Sequence, residues 1–147
     1  MNDRPDPRRP AALAPDLGHL AIHHIGIAVA SIEGSRPLYT TLSGAPGGPI
    51  IEVPDQRVNV AFFGQVELLE PRGDDSPVGR FLASRGPGLH HLAFQVSDIR
   101  SELARLKAAG FRLLDQEPRM GATGHPIAFI HPEGTGGVLV ELVELPS

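Results

Sequence analysis

Two stretches of the chain repeat one order of polar and apolar positions. "LAIHHIGIAVASI" (20–32) and "GLHHLAFQVSDI" (88–99) each open on a pair of histidines and continue into an apolar run closed by valine. Both read as strands that feed a helix. Sliding the chain by 67 residues places His24 on His91, Val29 on Val96 and Ile32 on Ile99, and "VAFF" (60–63) on "IAFI" (127–130). A shift of 74 places "VELLE" (66–70) on "VELVE" (140–144), so that Glu67 meets Glu141. The seven-residue difference predicts a longer hairpin loop in the second copy, where "HPEGTGG" intervenes.

Each copy therefore reads as strand, helix, then two or three strands ending on a Glu-bearing one. In the second copy Asp98 is a good N-cap for "IRSELARLKAA", with Ile99, Leu103 and Leu106 at helical spacing and Gly110 as the stop. In the first copy Ser31 or Ser35 would cap a helix whose regular part Gly34 and Pro37 confine to about Arg36–Leu42. Between the copies, "DSPVGRFLASRG" offers Ser76 as cap, Pro77 at the first helical position and Gly86 as stop. The expected fold class is α+β. The chain reads as tandem βαβββ modules that must share one sheet, since each half is too small to bury its sheet alone. The expected organisation is a flexible tail over 1–18 and one domain over 19–147. Within it, module one spans about 20–72, a linker helix about 76–86 and module two about 87–147. Four prolines among the first fifteen residues, with few large apolar groups, carry the tail assignment.

Composition narrows the function. A formal charge of −4 speaks against a nucleic-acid partner, and the chain has no apolar run long enough to span a bilayer. No cysteine is present, which excludes thiolate chemistry and disulfides. The basic start lacks the apolar core of a secretory signal, so a cytoplasmic protein is expected.

Neighbouring strand side chains point to opposite faces, so one histidine of each pair can face a given site. His24 and His91 are the matched choices, with His23 and His90 expected to face away; His19 carries no signal. Glu67 and Glu141 are matched too, each between apolar neighbours where a carboxylate needs a partner. A pseudo-twofold axis would join the four into an N2O2 set suited to one divalent first-row cation, with two octahedral positions left open for water or substrate. The ligand set does not choose among cobalt, manganese, nickel and zinc.

With "VELLEP", "DSPVGRFL", "GPGLHHLAFQV" and "GHPIAFIHPEGTGGVLVELVE" added to "HHIGIAV", the chain from about residue 20 onward resembles the vicinal oxygen chelate superfamily, which includes glyoxalase I. More narrowly, it resembles the methylmalonyl-CoA epimerase family. The resemblance implies that the tandem βαβββ modules form one curved mixed β-sheet around a metal site. It implies a metal-dependent isomerase acting on an acyl-CoA thioester, with Glu141 both a metal ligand and a catalytic base, in a homodimer. It also implies an opposing base in a "GVxE" setting. The matching stretch is "QRVNVAFF", where Asn59 is expected at that place and in the substrate pocket. Asn does not titrate, which leaves the second proton carrier open among water, His125 and Glu52.

The hairpin "NVAFFGQVE" is read with a three-residue loop, Phe62-Phe63-Gly64, which sets Asn59 across from Glu67; the alternative is a two-residue loop, Phe63-Gly64, which pairs Val60 with Glu67. In "RMGATGHPIAFIHPEGTGG", glycines and His-Pro pairs fit turn chemistry, and a second role as pocket lining would involve His125. Other readings of the four ligands are a glyoxalase I-like isomerase or lyase and a metal-free binding protein. The second carboxylate, Glu67, argues against an extradiol-type dioxygenase.

Overall fold

The computed structural model describes residues 20–146; the tail assignment and His19 lie outside them. The first module runs β1 (Ile22–Ala28), α1 (Ile32–Ser43), β2 (Ile51–Val53), β3 (Val58–Phe63) and β4 (Val66–Pro71). After α2 (Pro77–Arg85), the second runs β5 (Gly88–Val96), α3 (Ile99–Ala108), β6 (Arg119–Met120), β7 (Pro126–Ile130) and β8 (Val140–Glu144). All eight strands form one mixed sheet in the order β2-β3-β4-β1-β5-β8-β7-β6. The order mirrors itself about the antiparallel β1–β5 seam, so the two βαβββ units are related by a pseudo-twofold axis. Within each unit the first strand lies parallel to the last: Gly26 faces Glu67, and Ala93 faces Glu141. The β3–β4 turn takes two residues (64–65) and the β7–β8 loop nine (131–139), which accounts for the seven-residue difference.

Alternation along β4 and β8 builds both layers. Leu68 and Leu142 point to the helices, packing with Ile32 and Phe63 in one module and with Ile99 and Leu103 in the other. Leu69 points inward, where it meets Val60, Val53 and Val78 of α2; Val143 packs inward with Ile127 and Phe129. The last glutamate of each "VEL(L/V)E" points to the helix side. Glu70 accepts from the Ile32 N–H at 3.1 Å and Glu144 from the Ile99 N–H at 2.9 Å, so each ties a helix N-terminus to its sheet. A carboxylate there satisfies an orphan donor and complements the helix dipole. Glu144→Ala is expected to lower stability by about 1–2 kcal/mol in urea denaturation while leaving metal content unchanged.

Two local expectations are corrected. The first helix begins at Ile32 rather than near Arg36, capped by Ser31, whose Oγ accepts from the Gly34 N–H at 3.0 Å. Burial of Ile32 anchors this first turn, and Pro37 is tolerated because the Glu33 carbonyl it leaves without an N–H partner lies on the exposed side. The hairpin turn is Gly64-Gln65, not either loop containing Phe63: Phe63 pairs with Val66, Phe62 with Glu67 and Asn59 with Glu70. Phe63 decides this register. It is fully buried beneath α1 beside Tyr39, and a loop position would forfeit about 2–3 kcal/mol of burial. No helix among the described residues is long and apolar enough to cross a membrane.

Candidate metal centre

The four matched residues meet on the inner face of the sheet. His24, Glu67, His91 and Glu141 are all buried, at 3–6% exposure; among the described residues the other buried polar side chain is Ser76. The His24 and His91 Nε2 atoms lie 3.0 Å apart. Two ligands at right angles, each about 2.1 Å from one ion, would be separated by about 3.0 Å. A Glu67 oxygen lies 3.7 Å from His24 Nε2 and 3.6 Å from His91 Nε2. Glu141 oxygens lie 3.7 and 3.5 Å from the same two atoms. His24, His91 and Glu141 each place one ligand atom within 4.8 Å of the others, so these three could hold a divalent cation, while Glu67 reaches the two imidazoles but falls outside that group. The cavity they line holds about 40 Å³. One water needs roughly 10–15 Å³, so this space suits an ion with its waters.

Electrostatics point the same way. Burial pushes the Glu67 carboxyl up to about 8, and burial together with the Glu67 charge pushes Glu141 well above the carboxylate range. Burial, then the His23 charge, lowers His24 to about 4; burial and the neighbouring His90 and His24 hold His91 well below the usual range. Two carboxylates that resist ionising beside two imidazoles that resist protonation form a donor set lacking its positive charge, which a divalent cation would supply.

Around these four side chains the repeat continues into features that the histidine and glutamate matches did not disclose. Phe62 stands edge-on to His24 at 5.7 Å and Phe129 edge-on to His91 at 5.8 Å. These two belong to the duplicated "VAFF" and "IAFI", whose shared phenylalanine was the available signal. Gly26 lies opposite His91, and a Cβ there would come within 2.1 Å of the imidazole. Gly26→Ala is therefore expected to displace His91 and weaken metal binding at least about tenfold in a chelator competition, with the fold retained.

The chain matches the Glyoxalase/Bleomycin resistance protein/Dioxygenase superfamily over residues 23–129. It is 38% identical over 130 residues to the ethylmalonyl-CoA/methylmalonyl-CoA epimerase of Cereibacter sphaeroides, covering 84% of this chain and 97% of that one. It belongs to the methylmalonyl-CoA epimerase family of this superfamily. An uncharacterized Bacillus subtilis protein, YqjC, is 46% identical over 127 residues, 84% of this chain and 91% of its own. Among solved structures, a Streptomyces coelicolor methylmalonyl-CoA epimerase in complex with 2-nitronate-propionyl-CoA superposes with a TM-score of 0.79 at 36% identity, covering 84% of this chain and 93% of that one.

Epimerase family membership sharpens the placement of the remaining candidates. Asn59 does not face the cavity: its Nδ2 donates to Glu70 at 3.1 Å on the helix side of the sheet. With Val58 as the valine of "GVxE", the glutamate place falls on Val60, which lines the cavity as an apolar wall. Glu52 is cross-strand from Asn59 and pairs with Arg72 at 3.4 Å, outside the site. His125 is half-buried at the end of the loop whose Gly121, Ala122 and Thr123 line the cavity, and its charge helps lower His23. His23 and His90, expected to face away, both line the cavity, for a reason that lies in the strand register. A wider cleft of about 620 Å³ adjoins at His90 and His91, bordered by Arg80, Phe81, Arg85 and Val138.

Proposed function

We propose that this protein is a metal-dependent epimerase that interconverts the (R) and (S) forms of methylmalonyl-CoA by moving a proton at C2. The observation that carries the reading is a pair of buried carboxylates, Glu67 and Glu141, related by the pseudo-twofold axis and approaching the same two imidazole nitrogens from different strands. Inverting a carbon requires one group to remove a proton from one face and another to return one to the opposite face. A bound divalent ion, cobalt, manganese, nickel or zinc, would supply the electrophile that stabilises the enolate oxygen formed from the thioester.

Glu141 takes the C2 proton and passes it to water, while on the other face Glu67, ionised at rest, relays a proton from water to C2, so the proton count is unchanged over the turnover. Val60 excludes water at the place where the "GVxE" pattern would hold a carboxylate, which leaves Glu67 as the other carboxylate among the described cavity residues. The Phe62 and Phe129 edges keep the imidazole rings dry. The CoA arm leaves through the cleft beside His90, where Arg80 and Arg85 stand near its phosphates. The relatives named for methylmalonyl-CoA support the substrate class. The same reading carries the homodimer and the cytoplasmic location; a sedimentation mass of one 15.6 kDa chain would remove the homodimer from it.

The test is NMR of methylmalonyl-CoA in D2O with cobalt or manganese, followed by chiral analysis. Metal-dependent deuterium entry at C2 with inversion is the expected result. A metal-loaded protein that exchanges nothing would overturn the assignment. Glu67→Gln separates the two proton steps: deuterium still enters from one stereoisomer, while inversion slows relative to exchange.

A further inference from the structure

Strict alternation would turn one histidine of each pair away from the site, yet all four imidazoles line it. The β1–β5 register explains this. Ile22 pairs with Phe94 and His24 with Ala93, so His23 is an extra residue on β1. Gly26 pairs with His91 and Ile27 with Leu89, so His90 is an extra residue on β5. Each is the inserted residue of a β-bulge, and the pseudo-twofold axis exchanges the two bulges. A bulge interrupts alternation and re-aims a side chain. Here it turns the preceding histidine toward the ligand histidine: His23 Nδ1 lies 2.7 Å from His24 Nδ1, and His90 Nδ1 lies 3.0 Å from His91 Nδ1. Phe81 holds the His90 ring edge-on at 4.9 Å.

A neutral imidazole that offers Nε2 to an ion carries its proton on Nδ1, and that proton needs an acceptor. The partner recorded for both ligand histidines at Nδ1 is the bulged imidazole. Charge explains the choice of a neutral acceptor. Two carboxylates already balance a divalent ion, and a third anion behind a ligand histidine would leave buried charge uncompensated.

We infer that His23 and His90 are positioning residues: each accepts the Nδ1 proton of the histidine that follows it, which fixes the tautomer and ring angle that present His24 and His91 Nε2 to the metal. The inference rests on the metal reading of the site and not on the identity of the acyl group.

The experiment measures cobalt affinity by competition with a chromophoric chelator for the wild-type chain, His23→Leu, His90→Leu, His23→Asn and His90→Asn. The leucine variants are expected to bind about 10–100-fold more weakly. The asparagine variants should hold nearly wild-type affinity, because Oδ1 takes the Nδ1 place and accepts. Leucine variants that bind as tightly as wild type, or asparagine variants as weak as leucine, would overturn the inference. A wild-type chain that binds no cobalt would instead sink the metal reading itself. Should the leucine variants fail to fold, 15N NMR of the zinc-loaded wild-type protein decides. Scalar coupling across a His24 Nδ1–H to His23 Nδ1 hydrogen bond is expected, and its absence overturns the assignment.

Discussion

Glu141→Gln is expected to cut deuterium entry at C2 of methylmalonyl-CoA by about 10³-fold while leaving the fold in place, since a positioned general base contributes roughly 10²–10⁴-fold. Glutamine fills the same volume between Val140 and Leu142 and retains an oxygen toward the site, so the β7–β8 pairing opposite Phe129 is undisturbed. It removes basicity and one negative charge together. Metal titration separates the two losses. Exchange that stays absent at saturating cobalt identifies Glu141 as the base; exchange that returns at high cobalt would make it a ligand alone. Glu67→Gln provides the contrast, because it removes a charge from the same ion from the symmetry-related strand but leaves Glu141 free to take the proton.

The four candidate residues could be picked out of the sequence because duplication writes the pattern twice. Any one of His24, Glu67, His91 or Glu141 is unremarkable alone; the shared order of two copies makes them a set, and the structure brings all four onto one face. Helix starts were legible at Ser76 and Asp98, whose side chains accept from the Gly79 and Ser101 N–H groups as cap residues should. What escaped is anything that depends on a neighbouring strand. A bulge is one residue too many relative to a partner, and the sequence of "IHHIG" carries no mark of what lies opposite. Strict alternation therefore turned His23 and His90 outward. The β3–β4 turn escaped for a related reason. Gly64 signalled the turn, with φ of 61°, but whether the glycine opens or closes it was decided by where Phe63 could be buried. That single register choice placed Asn59 against Glu70 instead of in the cavity.

The metal-free protein is expected to be most stable near pH 6.5, and loading with a divalent ion should abolish the fall on the alkaline side. Glu67 rises from 4.5 to about 8 on folding, and Glu141 also rises. Between pH 4.5 and 8 the folded chain thus holds protons that the unfolded chain has released, and stability falls as pH rises. The imidazoles act in the opposite sense. His24 and His90 drop from 6.5 to about 4, and His23 and His91 also drop, so from about pH 4 to 6.5 the unfolded chain binds more protons and stability climbs with pH. Below 6.5 four imidazoles outweigh two carboxylates. Above it only the carboxylates titrate, each removing up to about 1.4 kcal/mol per pH unit, so the metal-free chain should lose on the order of 2–4 kcal/mol by pH 8. An ion needs those carboxylates ionised and those imidazoles neutral, so its binding releases protons and strengthens over this same interval. The gap in Tm between cobalt-loaded and metal-free protein should therefore widen steadily from pH 6.5 to 8 in calorimetry. A constant gap would mean that Glu67 and Glu141 are already ionised without the ion, and that the buried site draws its missing positive charge from elsewhere.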